Sequence, residues 1–411
     1  MVEKLSIDLD KLYEECIKAH KVISSHIHKT PMDKSATFSR MTGGIIYLKY
    51  ENLQKTGAFK VRGALYKVYK IAQSSKSKGV IAASAGNHAQ GVAYAASVFG
   101  LKSIIVMPEI ASISKIEATK NYGANVVLYG EVYDEACKKA KEIAEERGYE
   151  FVHAFDDLDV IAGQGTIALE ILKELSNIDV VIVQIGGGGL ASGIATVIRK
   201  LRGKSVKIIG VEPENAPKMK LSIKVGKPIE IETKPSLADG LVTKRPGNIT
   251  FKIISELIDD IVTVSEDEIA QAMYLLLERN KILAEGAGAA GLAALLSGKI
   301  DVKGKKVITI ISGGNVDLTA IYRIILRGLS SIGRIVSLKG GIPDVPGSLS
   351  KVLQIIAKER GNIVEIYHNR FEPLIGPWHA EVKLIVEVPN RETVNRIIKR
   401  LKTLGLTFKA E

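Results

Sequence analysis

Residues 180–202 read VVIVQIGGGGLASGIATVIRKLR, a short β-branched run followed by four glycines and a longer amphipathic stretch. The run predicts a buried strand and the stretch predicts a helix, so Gly186 to Gly189 lie at the junction between them. Ordering four glycines is entropically costly, and their retention calls for a structural reason. Because glycines at a helix N-terminus let backbone N–H groups approach an anion, we expect a phosphate-binding loop here.

The same alternation of strand and helix extends from about residue 45 to about residue 329. The β-branched runs include IIYLKY (45–50), GVIAAS (79–84) and KVITIIS (306–312), and amphipathic stretches separate them. This alternation predicts βαβ units and mostly parallel sheets that are covered on both faces. Binding loops lie at the carboxyl ends of such strands. Two further glycine-rich junctions occur there, SAGNH (84–88) and SGGN (312–315).

The pattern changes after about residue 330. The segments RIVSLKGG, NIVEIYHNRF, HAEVKLIVEVP and LTFKA predict strands, and PGSLSKVLQIIAKERG and NRETVNRIIKRLKTLG predict helices. The resulting order, βαββαβ, is ferredoxin-like. We therefore expect one domain over residues 1–329, with a small subdomain at about 50–155 inserted in it, and a second domain over residues 331–411.

Composition narrows the class of protein. The chain has 411 residues, of which 46% are hydrophobic and 25% charged, as in globular proteins. Its apolar runs fall far short of the roughly 18 residues that span a bilayer, and its acidic N-terminus does not resemble a signal peptide. We therefore expect a cytoplasmic protein without a membrane partner. The net charge of +12 is dispersed and aromatic residues are only 5%, so we expect no nucleic-acid partner either.

Lys60 stands out in the segment KTGAFKVRGA (55–64), just after the run at 45–50. A nucleophilic lysine must be partly desolvated, so that its pKa falls and the neutral amine is populated. Phe59 and the small neighbours are compatible with that role, although the spacing fits a solvated surface lysine as well. Residues 186–191 also match G-x-G-x-x-A, and the acidic Glu212 closes the next strand, so a nicotinamide-dependent dehydrogenase is an alternative.

Five motifs, in order, resemble the threonine dehydratase (threonine ammonia-lyase) branch of pyridoxal-phosphate (PLP) enzymes, which has the tryptophan-synthase-β-like fold. They are KTGAFKVRGA, SAGNHAQGVA, AGQGTIALEI, GGGGLASG and SGGN, and the resemblance covers about residues 20–328. The text PDVPGSLSKVLQIIAKERGNIVEI (343–366) resembles an ACT regulatory domain. The resemblance implies a fold type II PLP enzyme, α/β in class, with two parallel-sheet subdomains and a C-terminal βαββαβ ferredoxin-like ACT domain.

The resemblance also implies an activity and a site. The activity is conversion of L-threonine into 2-oxobutanoate and ammonia by α,β-elimination of water, and of L-serine into pyruvate. Lys60 would carry PLP through its amine and act as the base. The other implied PLP contacts are Phe59 beside the ring, Asn87 at the ring hydroxyl, Ser312 at the pyridine nitrogen, and backbone donors of Gly186, Gly187, Gly188, Gly189 and Leu190 at the phosphate. The implied substrate-carboxylate turn consists of Ser84, Ala85, Gly86, Asn87 and His88.

Three further residues qualify this picture. Serine racemases of the wider family carry a serine where this chain has Ala85, which has no proton to give, so racemisation is not expected as the main activity. Those racemases also bind a divalent cation through a carboxylate at the position of Lys218, and an ammonium is not a cation ligand, so no required metal is expected there. Glu285 either caps the helix that follows it or lies near the cofactor ring.

The ACT resemblance implies regulation. Its effector turn would include Asp344 and Gly347, together with Asn362 at the start of the second strand, and isoleucine or valine would be the effector. We also expect Pro346 at a helix start. ACT pairing implies a homo-oligomer, a dimer or tetramer. Three alternatives stay open: a purely structural ACT domain, a serine-preferring dehydratase, and an amino-acid sensor whose large domain is inactive.

Overall fold

The computed structural model describes residues 7–74, 77–371 and 376–410. The chain forms two compact units, one ending at Val316 and the other beginning at Asp317. This boundary lies earlier than the expected one at about residue 330, because the helix Leu318–Ser331 belongs to the second unit. In the described part of the chain, no helix is both long enough and apolar enough to span a bilayer.

The first unit alternates helices and strands, as the β-branched runs predict. Its helices are α1 (Leu9–Ile23), α2 (Ala36–Thr42), α3 (Lys60–Ser74), α4 (Asn87–Val98), α5 (Ile113–Asn121), α6 (Tyr133–Arg147), α7 (Leu158–Glu174), α8 (Gly189–Arg202), α9 (Lys218–Val225), α10 (Asn248–Leu257), α11 (Glu266–Leu275) and α12 (Gly286–Leu296). Its strands are β1 (Met32–Lys34), β2 (Ile45–Tyr50), β3 (Gly79–Ala83), β4 (Lys102–Met107), β5 (Asn125–Leu128), β6 (Glu150–Phe151), β7 (Val180–Gln184), β8 (Lys207–Pro213), β9 (Asp260–Val264) and β10 (Lys306–Ile311).

These strands form two sheets. The larger has the order β1-β2-β10-β7-β8-β9 and is parallel except for β1, which pairs with β2 in the antiparallel sense. The smaller has the order β5-β4-β3-β6 and is wholly parallel. Strands β3 and β7 are buried throughout, because helices cover both faces of the sheets. The predicted α/β class with two parallel sheets is confirmed.

The second unit has the predicted βαββαβ order after its first helix. Its elements are α13 (Leu318–Ser331), β11 (Ile335–Pro343), α14 (Ser348–Lys358), β12 (Asn362–Asn369), β13 (His379–Glu387), α15 (Arg391–Thr403) and β14 (Phe408–Ala410). The antiparallel sheet has the order β12-β13-β11-β14. Helix α14 begins at Ser348, so Pro346 lies before the helix and not at its first position. Gly347 makes the turn between them with a left-handed φ of 88°.

A buried ion network anchors the start of α3 to the large sheet. The Arg62 guanidinium donates to Glu51 just beyond β2, at 2.7 Å, and to Glu170 on α7, at 2.7 Å. Lys49 on β2 pairs with the same Glu170 at 2.6 Å. The exposed fraction of these side chains is at most 5%. Each charge is therefore matched by a partner in a region with little water.

Replacing Arg62 by methionine should strongly destabilise the protein. The substitution keeps most of the apolar stem but leaves Glu51 and Glu170 with too little positive charge, which costs about 3–5 kcal/mol for a broken buried pair. Denaturant unfolding of the cofactor-free protein measures the change. Lys120→Met, which removes an exposed lysine paired with Glu117, is the control and should leave the free energy of unfolding nearly unchanged. An equally small effect of Arg62→Met would contradict the assigned role of the network.

Candidate active site

A cavity of about 740 Å³ opens in the first unit, a volume typical of small-molecule sites. Loops that follow β3, β6, β7 and β10 contribute to its wall, as expected for the carboxyl ends of parallel strands. All the site residues predicted in this unit line it. They are Phe59, Lys60, Ser84, Ala85, Gly86, Asn87, His88, Gly186, Gly187, Gly188, Gly189, Leu190, Glu285 and Ser312.

Lys60 is the first residue of α3, and its amine reaches the cavity wall. Nζ donates to the carbonyl oxygen of Ala154 at 2.7 Å and lies 5.3 Å from the centroid of the Phe59 ring. Loss of hydration lowers the pKa of Lys60 to about 8, and the nearby carboxyl of Glu285 opposes this shift. A lysine of this kind holds a sizeable fraction of neutral, nucleophilic amine near neutral pH.

The four-glycine loop forms a cradle that packs so closely against its neighbours that it has no room for larger residues. A Cβ atom added at Gly187 would overlap the Phe155 ring, and one at Gly189 would press on the backbone of Phe155. Gly188 has a φ of 103°, which other residues rarely adopt. Helix α8 begins at Gly189, so backbone N–H groups and the positive end of the helix dipole face this cradle. The loop fits a phosphate group.

Glu285 and Asn87 lie next to one another in the cavity wall. The Asn87 amide Nδ2 donates to Glu285 Oε1 at 2.8 Å. Glu285 precedes α12, but its side chain makes no hydrogen bond to that helix, so the structure does not support the capping interpretation. Burial, with a contribution from Asp239, raises the pKa of Glu285 to about 8. This carboxyl group therefore holds a proton near neutral pH far more readily than an exposed glutamate does.

Three other predicted site residues, Ser312, Ser84 and His88, are held by hydrogen bonds to the backbone. Ser312 is 2% exposed, and its carbonyl oxygen accepts from Phe59 N at 3.0 Å. The Ser84 hydroxyl accepts from Gly86 N at 3.1 Å, which shapes the turn before α4. His88 Nε2 lies 2.9 Å from the Val152 carbonyl oxygen, and burial lowers the pKa of His88 to about 3. His88 is therefore neutral at physiological pH, which suits a structural role.

The sequence analysis missed two residues of the cavity wall and one residue behind it. Ala154 and Phe155, which contact Lys60 and the glycine loop, follow the short strand β6. Residues that follow the carboxyl end of a strand are candidates for a binding site, but a two-residue strand is too short to recognise from the sequence pattern. Asn315 belongs to the predicted SGGN junction, yet no role was assigned to it. Its amide donates to Asn87 Oδ1 at 2.8 Å.

Glu212 and Lys218 form a buried pair beneath the glycine loop, and both side chains are 0% exposed. Lys218 Nζ lies 2.9 Å from Glu212 Oε1 and donates to the carbonyls of Ile185, at 2.7 Å, and Leu241, at 3.0 Å. Glu212 also accepts from the backbone at the start of α9. Its carboxylate is thus engaged within the protein, which argues against the ribose-binding role that the dehydrogenase alternative needs.

A second cavity, of about 370 Å³, lies within the C-terminal unit. Asp344 and Gly347, both predicted regulatory residues, line it, and the Asp344 carboxylate pairs with Arg370 at 2.9 Å. Asn362 is not brought to this cavity. It begins β12, whereas the cavity lies near His368 and Arg370 at the far end of that strand.

A half-buried lysine amine that shares a cavity with a glycine phosphate cradle defines a class of protein, the PLP-dependent enzymes. The sequence profile of the family described as "pyridoxal-phosphate dependent enzyme" matches residues 23–313. The chain belongs to this family, in the branch that contains the threonine ammonia-lyases. The resemblance that its five motifs indicate is confirmed.

Three relatives illustrate the relationship. An L-threonine ammonia-lyase of Thermotoga maritima is 46% identical over 95% of this chain and 97% of its own length. The processed form of threonine deaminase isoform 2 from Solanum lycopersicum superposes with a TM-score of 0.73 at 35% identity, over 77% of this chain and 92% of that one. Serine racemase from Dictyostelium discoideum gives a TM-score of 0.70 at 40% identity, over 74% and 98% of the two chains.

PLP should attach to the cofactor-free protein at a rate that follows the ionisation of Lys60. The neutral amine is the reactive form, so the rate of PLP incorporation should rise with pH and level off above about 8, well below the range of an exposed lysine. Visible absorbance after mixing measures the rate. Lys60→Ala should give no stable visible band, and Lys55→Ala, at an exposed neighbour, should keep the wild-type profile. A rate that still climbs towards pH 10 would argue against a desolvated Lys60.

Proposed function

We propose that this protein is a PLP-dependent L-threonine ammonia-lyase, which converts L-threonine into 2-oxobutanoate and ammonia. One observation carries the proposal: the same cavity holds the Lys60 amine, the four-glycine cradle and a turn, Ser84 to His88, that has alanine at its second position. The names of the relatives of 46% and 35% identity support the same substrate.

Lys60 is the proposed base. When bound, PLP withdraws electrons from the α-carbon of an amino acid, which makes its proton removable. The Lys60 amine, whose pKa lies at about 8, is uncharged often enough near neutral pH to accept that proton. Ser312 is buried and uncharged where a carboxylate could stand. A hydroxyl does not keep a neighbouring ring nitrogen protonated as a carboxylate does, and this favours prompt loss of the β-hydroxyl over transamination.

The turn before α4 is the proposed carboxylate site. Helix α4 begins at Asn87, and its N-cap residue Gly86 makes no side-chain hydrogen bond. Apart from its neighbours in the chain, nothing lies within 4 Å of a Cβ built on Gly86, so a ligand can approach the backbone. Backbone N–H groups at a helix N-terminus favour a carboxylate. Ala85 in this turn has no proton to donate, which favours elimination over racemisation.

Turnover of purified protein with PLP tests the proposal. L-Threonine should yield 2-oxobutanoate and ammonia in equal amounts, and L-serine should yield pyruvate. The methyl group that distinguishes the substrates is worth about 1–3 kcal/mol, or roughly 10–200-fold in kcat/KM. Lys60→Ala should lose both reactions, and Lys55→Ala should keep them. A preference for L-serine would make the enzyme a serine dehydratase. Ligand binding without turnover would favour the sensor alternative.

We further propose that the C-terminal unit is an ACT domain that regulates the enzyme. Its support is the observed βαββαβ order and the cavity that Asp344 and Gly347 line. Isoleucine or valine is the proposed effector, and the paired charges of Asp344 and Arg370 at the cavity wall match the amino and carboxylate groups of an amino acid. A homo-oligomer, either a dimer or a tetramer, follows from the pairing typical of ACT domains.

Binding of the effector should change the fluorescence of Trp378, the one tryptophan of the chain. Trp378 is 79% exposed, and its carbonyl accepts from Asp344 N at 2.9 Å, so rearrangement at the cavity should alter its environment. Gly347→Ala should weaken binding, because its φ of 88° is strained for alanine. Gly405→Ala, at a φ of 76° in the same unit, is the matched control. Absence of binding for both amino acids, also by calorimetry, would refute the regulatory proposal.

A further inference from the structure

Three loops meet around Asn315, the last residue of the SGGN junction. Asn315 Nδ2 donates to the carbonyl oxygen of Thr56 at 2.7 Å and to Asn87 Oδ1 at 2.8 Å. Asn87 in turn donates through Nδ2 to Glu285 Oε1 at 2.8 Å. The chain of hydrogen bonds therefore runs from the Lys60 loop, through two amides, to the buried carboxyl group of the cavity.

The backbone carbonyl of Thr56 determines which end of each amide donates in this series of hydrogen bonds. A carbonyl oxygen can only accept, so the nitrogen end of the Asn315 amide must face Thr56. That nitrogen also faces Asn87 Oδ1, so the oxygen end of the Asn87 amide is fixed toward Asn315. The nitrogen end of Asn87 is then directed to Glu285 and the cavity. Reversing the Asn315 amide would bring its oxygen against the Thr56 carbonyl, and reversing the Asn87 amide would bring its nitrogen against that of Asn315.

Backbone contacts hold Asn315 in place for this task. Gly314 N donates to the Gly57 carbonyl at 2.9 Å, and Ala58 forms a bridge with Gly313. Gly57 has a φ of 71°, and a Cβ atom there would overlap the Asn315 side chain. Gly57 thus adopts the turn conformation and leaves space for the Asn315 side chain, so that the Asn315 amide can contact Thr56.

We propose that Asn315 is a positioning residue for the cofactor. It acts through Asn87, by holding the Asn87 amide with its N–H end toward the cavity, where this amide meets the ring hydroxyl of PLP. This inference rests on the proposed function only for the presence of PLP, and not for the identity of the substrate.

Asn315→Ala and Asn315→Asp test the proposal, the first by removing the donor and the second by replacing it with acceptors of the same shape. Each should raise the Kd of PLP for the cofactor-free protein about tenfold, the scale of one lost buried hydrogen bond. Each should also raise the pH at which the visible band of the bound cofactor changes. An Asn87 amide that is no longer held in place donates less well to the ring hydroxyl of PLP, and the ionised form of that hydroxyl is then less favoured. Asn121→Ala, at an exposed asparagine on α5, should change neither quantity.

A double-variant cycle shows whether Asn315 acts through Asn87. The Kd of Asn315→Ala combined with Asn87→Ala should equal that of Asn87→Ala alone, because the amide to be positioned is gone. Additive losses would overturn the proposal. So would a lower melting temperature of the Asn315 variants with a normal Kd and visible band, since that indicates a purely structural residue. If the alanine variant does not fold, the isosteric aspartate variant takes its place in the cycle. Failure of the wild type to release 2-oxobutanoate would refute the substrate, and leave these binding outcomes unaffected.

Discussion

The site depends on how the segment that carries Lys60 is tied to the large sheet. On one side of the lysine, Phe59 N donates to the Ser312 carbonyl at 3.0 Å. On the other side, the Arg62 guanidinium binds Glu51 and Glu170 in a region closed to water. The four residues from Phe59 to Arg62 are therefore held at both ends, and this fixes the backbone from which the Lys60 side chain extends. The buried ion pairs therefore help to place the helix start that carries Lys60, in addition to their effect on stability.

The electrostatics of the cavity follow from the same burial. Glu285 is buried and Lys60 is half-buried, and loss of hydration moves the pKa of the amine down to about 8 and that of the carboxyl up to about 8. Burial disfavours the charged form of each group, which explains the opposite directions. The cavity therefore contains an amine that can accept a proton and a carboxyl group that can hold one, under the same conditions.

The glycine loop is supported from below by a second buried charge. Lys218 donates to the carbonyl of Ile185, directly before the loop, and to that of Leu241, which also lines the cavity. Glu212 balances its charge at 2.9 Å. Burial lowers the pKa of Lys218, and Glu212 opposes this shift. From the sequence alone, this lysine is expected only to keep a cation from binding at its position. In the structure it also links two walls of the cavity.

Local sequence patterns were sufficient to predict most of the fold and most of the residues of the cavity. The alternation of β-branched runs with amphipathic stretches predicted the parallel sheets, and the order of such segments predicted the βαββαβ unit, because these patterns mark buried strands and half-buried helices. Motif order identified the family and predicted which residues would share a cavity. Other features depend on contacts between distant segments: Asp344 lies with Arg370 and not with Asn362, and Ala154 receives the Lys60 amine. The Asn315–Asn87–Glu285 chain spans 228 and 198 residues of sequence. Hydrogen-bond direction and desolvation are properties of such contacts, so only the folded chain could determine them.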